Sequence, residues 1–150
     1  DMILISHRGN INGVEGKENH PDYIDRAIEK GYDVEIDVRQ DNRPGFYLGH
    51  DKMEHHVETS WLIGRKQNLW IHAKDFGSLE ILLKLGLRVF YHEKELHTII
   101  GNTQVIWSHN IEEASQNSII PLLELDKLQV WKDMIDEDVY GICSDYVGRW

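Results

Sequence analysis

Residues Asp33-Val34-Glu35-Ile36-Asp37-Val38-Arg39 alternate strictly between charged and aliphatic side chains, and no other stretch limits the fold of this chain so tightly. Successive side chains of a strand point to opposite faces, so Val34, Ile36 and Val38 share one side while Asp33, Glu35, Asp37 and Arg39 share the other. Taken alone, the pattern fits an antiparallel sheet with one wet face. Its neighbours shift that reading. Upstream, the run Met2-Ile3-Leu4-Ile5 ends in Ser6-His7-Arg8-Gly9, and downstream a turn leads to Leu48-Gly49-His50-Asp51. Two histidines therefore flank a carboxylate pair.

Short apolar runs alternate with short helical patterns along the rest of the chain, which suggests βα units. Met2 to Ser6 reads as a first strand and Gly9 to Gly13 as the loop after it. Asn19 or His20 caps a helix with Pro21 in its first turn and Gly31 as its stop. After the strand Asp33 to Arg39 comes a turn, and Phe46-Tyr47-Leu48 looks like a hairpin arm. Lys52 to Gln67 are poorly patterned, with a helical turn at Trp61-Leu62-Ile63. Asn68 to Ala73, Leu87 to Tyr91, Leu96 to Ile100, Thr103 to Ser108, Ser118 to Leu123 and Val139 to Ser144 read as further strands. Helices are expected over Ser78 to Leu85 and Lys127 to Met134. Eight strands and three clear helices place the chain in the α/β class, as a compact, helix-poor (β/α)8 TIM-type barrel forming one domain over residues 1–150. An open α/β sheet is the alternative, because an ordinary barrel of this type uses about 250 residues.

A chain of 150 residues with 41% hydrophobic content has room for one core. Its 26 acidic against 16 basic residues, net −10, argue against a nucleic-acid or anionic-membrane partner and make a metal cation the more natural guest. No stretch reaches the roughly 20 apolar residues that span a bilayer, so no membrane span is expected. A lone cysteine, Cys143, excludes an intramolecular disulfide and fits a reducing, cytoplasmic compartment. A removed signal peptide stays open, since the sequence starts at Asp1 and not at a methionine.

In a β/α barrel the functional groups lie at the C-terminal ends of strands, and the candidates here follow that rule. His7 and Arg8 follow strand one, Glu35 and Asp37 lie in the last half of strand two, and His50 ends the hairpin. His72 and Lys74 share a face at the end of strand three, and Glu93 ends strand four. Glu35 and Asp37 would seat Mg2+ or Ca2+, with His72 as a third ligand better suited to Mn2+ or Zn2+. His7 and His50 suit proton removal and donation near neutral pH, while Arg8 and Lys74 would hold a phosphate. Glu124 could supply a carboxylate from across the mouth. Trp107 and Tyr91 are candidates to stack on a sugar or glycerol moiety. Among the remaining histidines, His92 and His109 are placed to approach the site.

The segments Ser6-His7-Arg8-Gly9, Glu18-Asn19, Glu35-Ile36-Asp37-Val38, Gly49-His50-Asp51 and Gly141-Ile142-Cys143-Ser144-Asp145-Tyr146 together resemble the glycerophosphodiester phosphodiesterase family. Ile71-His72-Ala73-Lys74 looks like that family's Glu-x-Lys strand with histidine in place of glutamate, as in a short divergent branch. The resemblance implies a β/α barrel with a divalent metal, in which a substrate hydroxyl attacks phosphorus through a cyclic phosphate. By the same resemblance His7 and His50 are the acid and base, Arg8 and Lys74 the phosphate ligands, and Glu35 and Asp37 the metal ligands. The expected function is thus a metal-dependent phosphodiesterase acting on a small glycerophosphodiester or a phosphodiester-linked glycan. Its rivals are a lyase that stops at the cyclic phosphate and an inactive module that binds a phosphorylated ligand. A barrel stripped of helices must hide its apolar flank, which makes a homodimer a candidate assembly.

Overall fold

In the computed structural model, which describes residues 2–134 and 138–150, the alternating strand Asp33–Arg39 lies in the middle of the sheet. Ten strands form one sheet: β1 (Ile3–His7), β2 (Asp33–Arg39), β3 (Phe46–Leu48), β4 (His55–Val57), β5 (Leu69–Ala73), β6 (Val89–Phe90), β7 (His97–Ile99), β8 (Ile106–Ser108), β9 (Ser118–Pro121) and β10 (Gly141–Ser144). Four α-helices accompany them: α1 (Pro21–Glu29), α2 (Thr59–Gly64), α3 (Phe76–Lys84) and α4 (Leu125–Met134). Parallel ladders run in the spatial order β6-β5-β2-β1-β10-β9-β8. β3 pairs antiparallel with the end of β2, β4 with β3, and β7 with β8.

The wet-face reading of β2 is rejected by burial. Val34, Ile36 and Val38 are fully buried against α1 and α3, where Ile24, Ala27 and Leu82 meet them. The opposite face is covered as well: Glu35 is 2% and Asp37 0% exposed. Register sets Glu35 beside Trp70 and Asp37 beside His72, and Trp70 joins Ile5, Phe90, Trp107, Ile119 and Cys143 in a second core cluster. Parallel strands covered on both sides normally read as continuous apolar runs, so a buried acidic face is a departure that calls for a chemical reason.

A fully laddered barrel is not formed. β6 and β8, the ends of the parallel array, are not paired with each other; between them stand β7 and a single antiparallel bridge, Val89 with Gly101. The cause is local. Leu96 to Ile100, expected as a fifth barrel strand, follows β6 with no helix to carry the chain back, and it precedes β8 by a short turn closed by the Thr103 hydroxyl on Ile100 O. A parallel return needs a crossover of about a dozen residues or more, so the segment folds back as a hairpin arm instead.

Other boundaries shift for similar reasons. The segment from Lys52 to Gln67, without a clear pattern in the sequence, contains β4 and the short α2. α3 begins at Phe76 and not Ser78, because the Asp75 carboxylate caps it by accepting from Ser78 N at 2.7 Å. His20 caps α1 through Nδ1, as one of the two expected caps. If the Ile36 face carries the core, Ile36→Ala lowers the unfolding free energy in urea titration by about 2–5 kcal/mol. Ile63→Ala, at a side chain 43% exposed, changes it by no more than about 0.5 kcal/mol.

Candidate active site

The C-terminal ends of β1, β2, β5 and β10 bring five acidic or imidazole side chains together. His7 Nδ1 lies 2.7 Å from Asp145 Oδ1, and its Nε2 lies 3.7 Å from Glu35 Oε1. Arg8 Nε sits 2.9 Å from Asp37 Oδ2, and His72 Nδ1 is 3.5 Å from Asp37 Oδ1. Glu35, Asp37 and His72 each offer a ligand atom such that all three lie within 4.8 Å of one another.

Local backbone geometry explains how Arg8 and His7 are aimed. Arg8 is a non-glycine residue at φ 60, a left-handed conformation that costs free energy and persists only when neighbours fix it. Its N–H donates to Glu35 O at 2.8 Å, and its own carbonyl accepts from Asn19 N at 3.0 Å. Gly9 follows at φ 98, where a Cβ would stand 2.5 Å from the Tyr23 ring, so the turn packs flat against α1. Asn19 clasps Asp37 twice, donating from Nδ2 to Oδ2 at 3.0 Å and accepting from the Asp37 N–H at 3.0 Å. Asn10 Nδ2 donates to Asp145 Oδ1 at 2.9 Å, and Asn10 Oδ1 accepts from the Tyr23 hydroxyl at 2.8 Å.

Electrostatics follow from that burial. Burial pushes the Glu35 carboxyl well above its usual range, and the charge of Asp37 adds to the effect. Burial presses Asp37 upward too, but Arg8, the Asn19 amide and His72 outweigh it and hold it below the ordinary aspartate value. Asp145 is likewise held low, burial being outweighed by its bonds to His7 and Asn10. Burial pulls His72 down to about 3, with His92 and Lys74 acting in the same sense against Asp37. His72 is therefore a neutral imidazole near pH 7, the form that donates to a metal. Glu35 Oε1 and Asp37 Oδ1 are buried with no hydrogen-bond partner among the described residues. Such oxygens are costly unless something else engages them, and a divalent cation fits two carboxylate oxygens and one imidazole nitrogen.

The structure gathers His7, Arg8, Glu35, Asp37 and His72, with Lys74 close enough for its charge to act on Glu35 and His72. His50 lies in the loop that follows β3. Its side chain is 43% exposed and its Nδ1 lies 2.8 Å from Asp51 Oδ1, while Gly49 N donates to Asp37 O at 3.1 Å and ties that loop to β2. Three expected residues sit elsewhere. Glu93 is exposed and accepts from the Tyr91 hydroxyl at 2.9 Å, because β6 ends at Phe90 and the chain has already turned outward. Glu124 does not reach across the mouth; it is exposed before α4 and pairs with Lys127 at 3.1 Å. Trp107 is 4% exposed and stacks on Phe90 at 4.6 Å, a core residue and no platform for a sugar. Asp145, Asn10 and Asn19 were missed as site residues. Asp145 has a signal, a carboxylate directly after the last strand in a segment that carries the resemblance, and Asn19 lies in another such segment, whereas Asn10 looks like an ordinary loop residue.

No protein-family model matches the sequence, and no curated protein matches it. A solved structure does: the crystal structure of glycerophosphodiester phosphodiesterase from Agrobacterium tumefaciens str. C58, with a TM-score of 0.59 and 17% sequence identity over 99% of this chain and 97% of that one. This chain shares that enzyme's fold. The likeness runs end to end, so the helix-poor α/β sheet matches that fold despite its unladdered seam. No helix is long and apolar enough to cross a membrane among the described residues.

A cation held by Glu35 would have to displace any proton that its raised pKa retains. Mn2+ affinity should therefore rise with pH below the folded-state pKa of Glu35, which lies above the usual carboxylate range, and level off beyond it. Titration calorimetry in buffers of differing ionisation enthalpy should report proton release on binding in wild-type protein, and much less of it in Glu35→Gln.

Proposed function

We propose that this chain is a divalent-metal-dependent phosphodiesterase, hydrolysing a small glycerophosphodiester or a phosphodiester-linked glycan. The observation that carries the reading is the buried pair Glu35 and Asp37 with unengaged oxygens, set beside His72 and the His7–Asp145 pair at one rim. The shared phosphodiesterase fold supports it. Glu35, Asp37 and His72 would hold the cation. When bound, the cation supplies Lewis-acid polarisation of the phosphoryl oxygens.

The protein's own groups divide the remaining work. Asp145, accepting at 2.7 Å from Nδ1 of His7, fixes the tautomer with the proton on Nδ1 and leaves the Nε2 lone pair free. His7 Nε2 is therefore the base that takes the proton of the attacking substrate hydroxyl, and the cyclic phosphate so formed is opened by water to the monoester. His50, partly exposed and on a loop tied to the end of β2, would give a proton to the leaving oxygen, with exchange from solvent restoring it. Arg8 and Lys74 hold the phosphate, Arg8 with the guanidinium nitrogens that its Asp37 contact at Nε leaves over. A barrel-like cup of parallel strands is the frame this chemistry would use, the cytosol its compartment and a homodimer its assembly where the sheet's outer flank lacks helices.

Replacement of His7 by alanine should lower kcat on a glycerophosphodiester by about 10^2–10^4-fold, the usual contribution of a positioned base. Asp145→Asn should lower kcat with little change in KM, because it disturbs the tautomer and not the phosphate contacts. Phosphorus NMR of the product distinguishes outcomes: a monoester supports hydrolysis, and a cyclic phosphate that never opens assigns a lyase. Wild-type turnover in His7→Ala would refute the assignment.

A further inference from the structure

We infer that the pocket of Glu35, Asp37 and His72 is tuned to a borderline transition ion of the Mn2+ to Zn2+ series rather than to Mg2+ or Ca2+, and that His72 is the selecting residue. The inference rests on the proposed metal pocket and goes beyond it by assigning the class of ion.

Three observations carry it. First, the donor set is two carboxylate oxygens and one imidazole nitrogen within 4.8 Å of one another. Ca2+ seeks six to eight oxygens and Mg2+ an octahedron of oxygens and waters, whereas imidazole suits Mn2+, Fe2+, Co2+ and Zn2+. Second, the anionic charge that would attract a hard ion is already partly offset. Arg8 Nε lies 2.9 Å from Asp37 Oδ2, and the Lys74 charge acts on Glu35. A site of reduced net charge loses hard-ion affinity while nitrogen donation is untouched. Third, the imidazole is held in place. Its ring lies nearly parallel to Phe90 at 5.0 Å and 12°, and to His92 at 4.4 Å and 15°, while strand register pins its backbone between Asp37 and Phe90. A packing residue needs no such alignment with two orphaned carboxylate oxygens, Glu35 Oε1 and Asp37 Oδ1.

All-oxygen sites also bind Zn2+ and Mn2+ ahead of Mg2+, so the wild-type ranking decides little. The decisive quantity is what His72 adds. The purified full chain is titrated calorimetrically with Mn2+ and with Mg2+, as wild type, His72→Glu and His72→Gln, and pulsed EPR of the Mn2+ form reads nitrogen hyperfine coupling. The expected result is imidazole coupling in wild type that is lost in both variants. The Mn2+-to-Mg2+ affinity ratio should fall by at least about tenfold in His72→Glu, in line with the usual cost of disturbing a metal shell. Bound Mn2+ without nitrogen coupling in wild type, or an unchanged ratio in a folded His72→Glu, overturns this inference and leaves the phosphodiesterase reading standing. Failure of wild type to bind any of these ions overturns both. Should one variant fail to fold, the other carries the comparison.

Discussion

Two carboxylates buried side by side on the inner face of β2 are the constraint around which the molecule is arranged. Glu35 and Asp37 are each no more than 2% exposed, and an isolated buried charge pair of like sign is unfavourable. The surrounding structure reads as the response. Arg8 is held at φ 60 with its guanidinium on Asp37, and Asn19, itself at φ 66, grips the same carboxylate from two sides. Glu35 meets the cost differently: burial and the neighbouring Asp37 charge push its carboxyl well above the usual carboxylate range. The two carboxylates thus occupy opposite protonation tendencies a single turn of the pleat apart, and a divalent cation would relieve both.

The same face shows why the chain uses parallel strands here. Ends of β1, β2, β5 and β10 converge only because these strands run in the same direction and lie next to one another. His7 then faces Glu35 on one side and Asp145 on the other, although Asp145 lies 138 residues away in sequence. α1 serves this arrangement as much as the core does: its Tyr23 ring lies over Gly9, and its hydroxyl orients Asn10, which orients Asp145. The site therefore depends on packing on the helical side of the sheet.

How much of this could be read from the chain follows from the kind of signal each part leaves. The alternation in β2 and the clustering of His7, Arg8, Asp37 and His72 at strand ends were legible, since strand period and the direction of parallel strands are local rules. The burial of the acidic face was not, because alternation looks the same whether the charged side meets water or a second layer of protein. β7 is a strand as its residues imply, but its direction is not legible, because strand propensity is the same either way; only the missing crossover distinguishes a hairpin arm from a parallel strand. Trp107 and Glu124 failed for a related reason: a strand-end position does not reveal whether a side chain points inward or where the next helix begins.

The central claim is that the unengaged oxygens of Glu35 and Asp37, with the ring of His72, form a seat for a divalent cation. Anomalous diffraction from crystals grown with Mn2+ tests it most directly. A single strong peak bounded by Glu35, Asp37 and His72, within bonding distance of all three, is expected. A structure whose manganese lies elsewhere, with Glu35 and Asp37 unchanged and unligated, would contradict it.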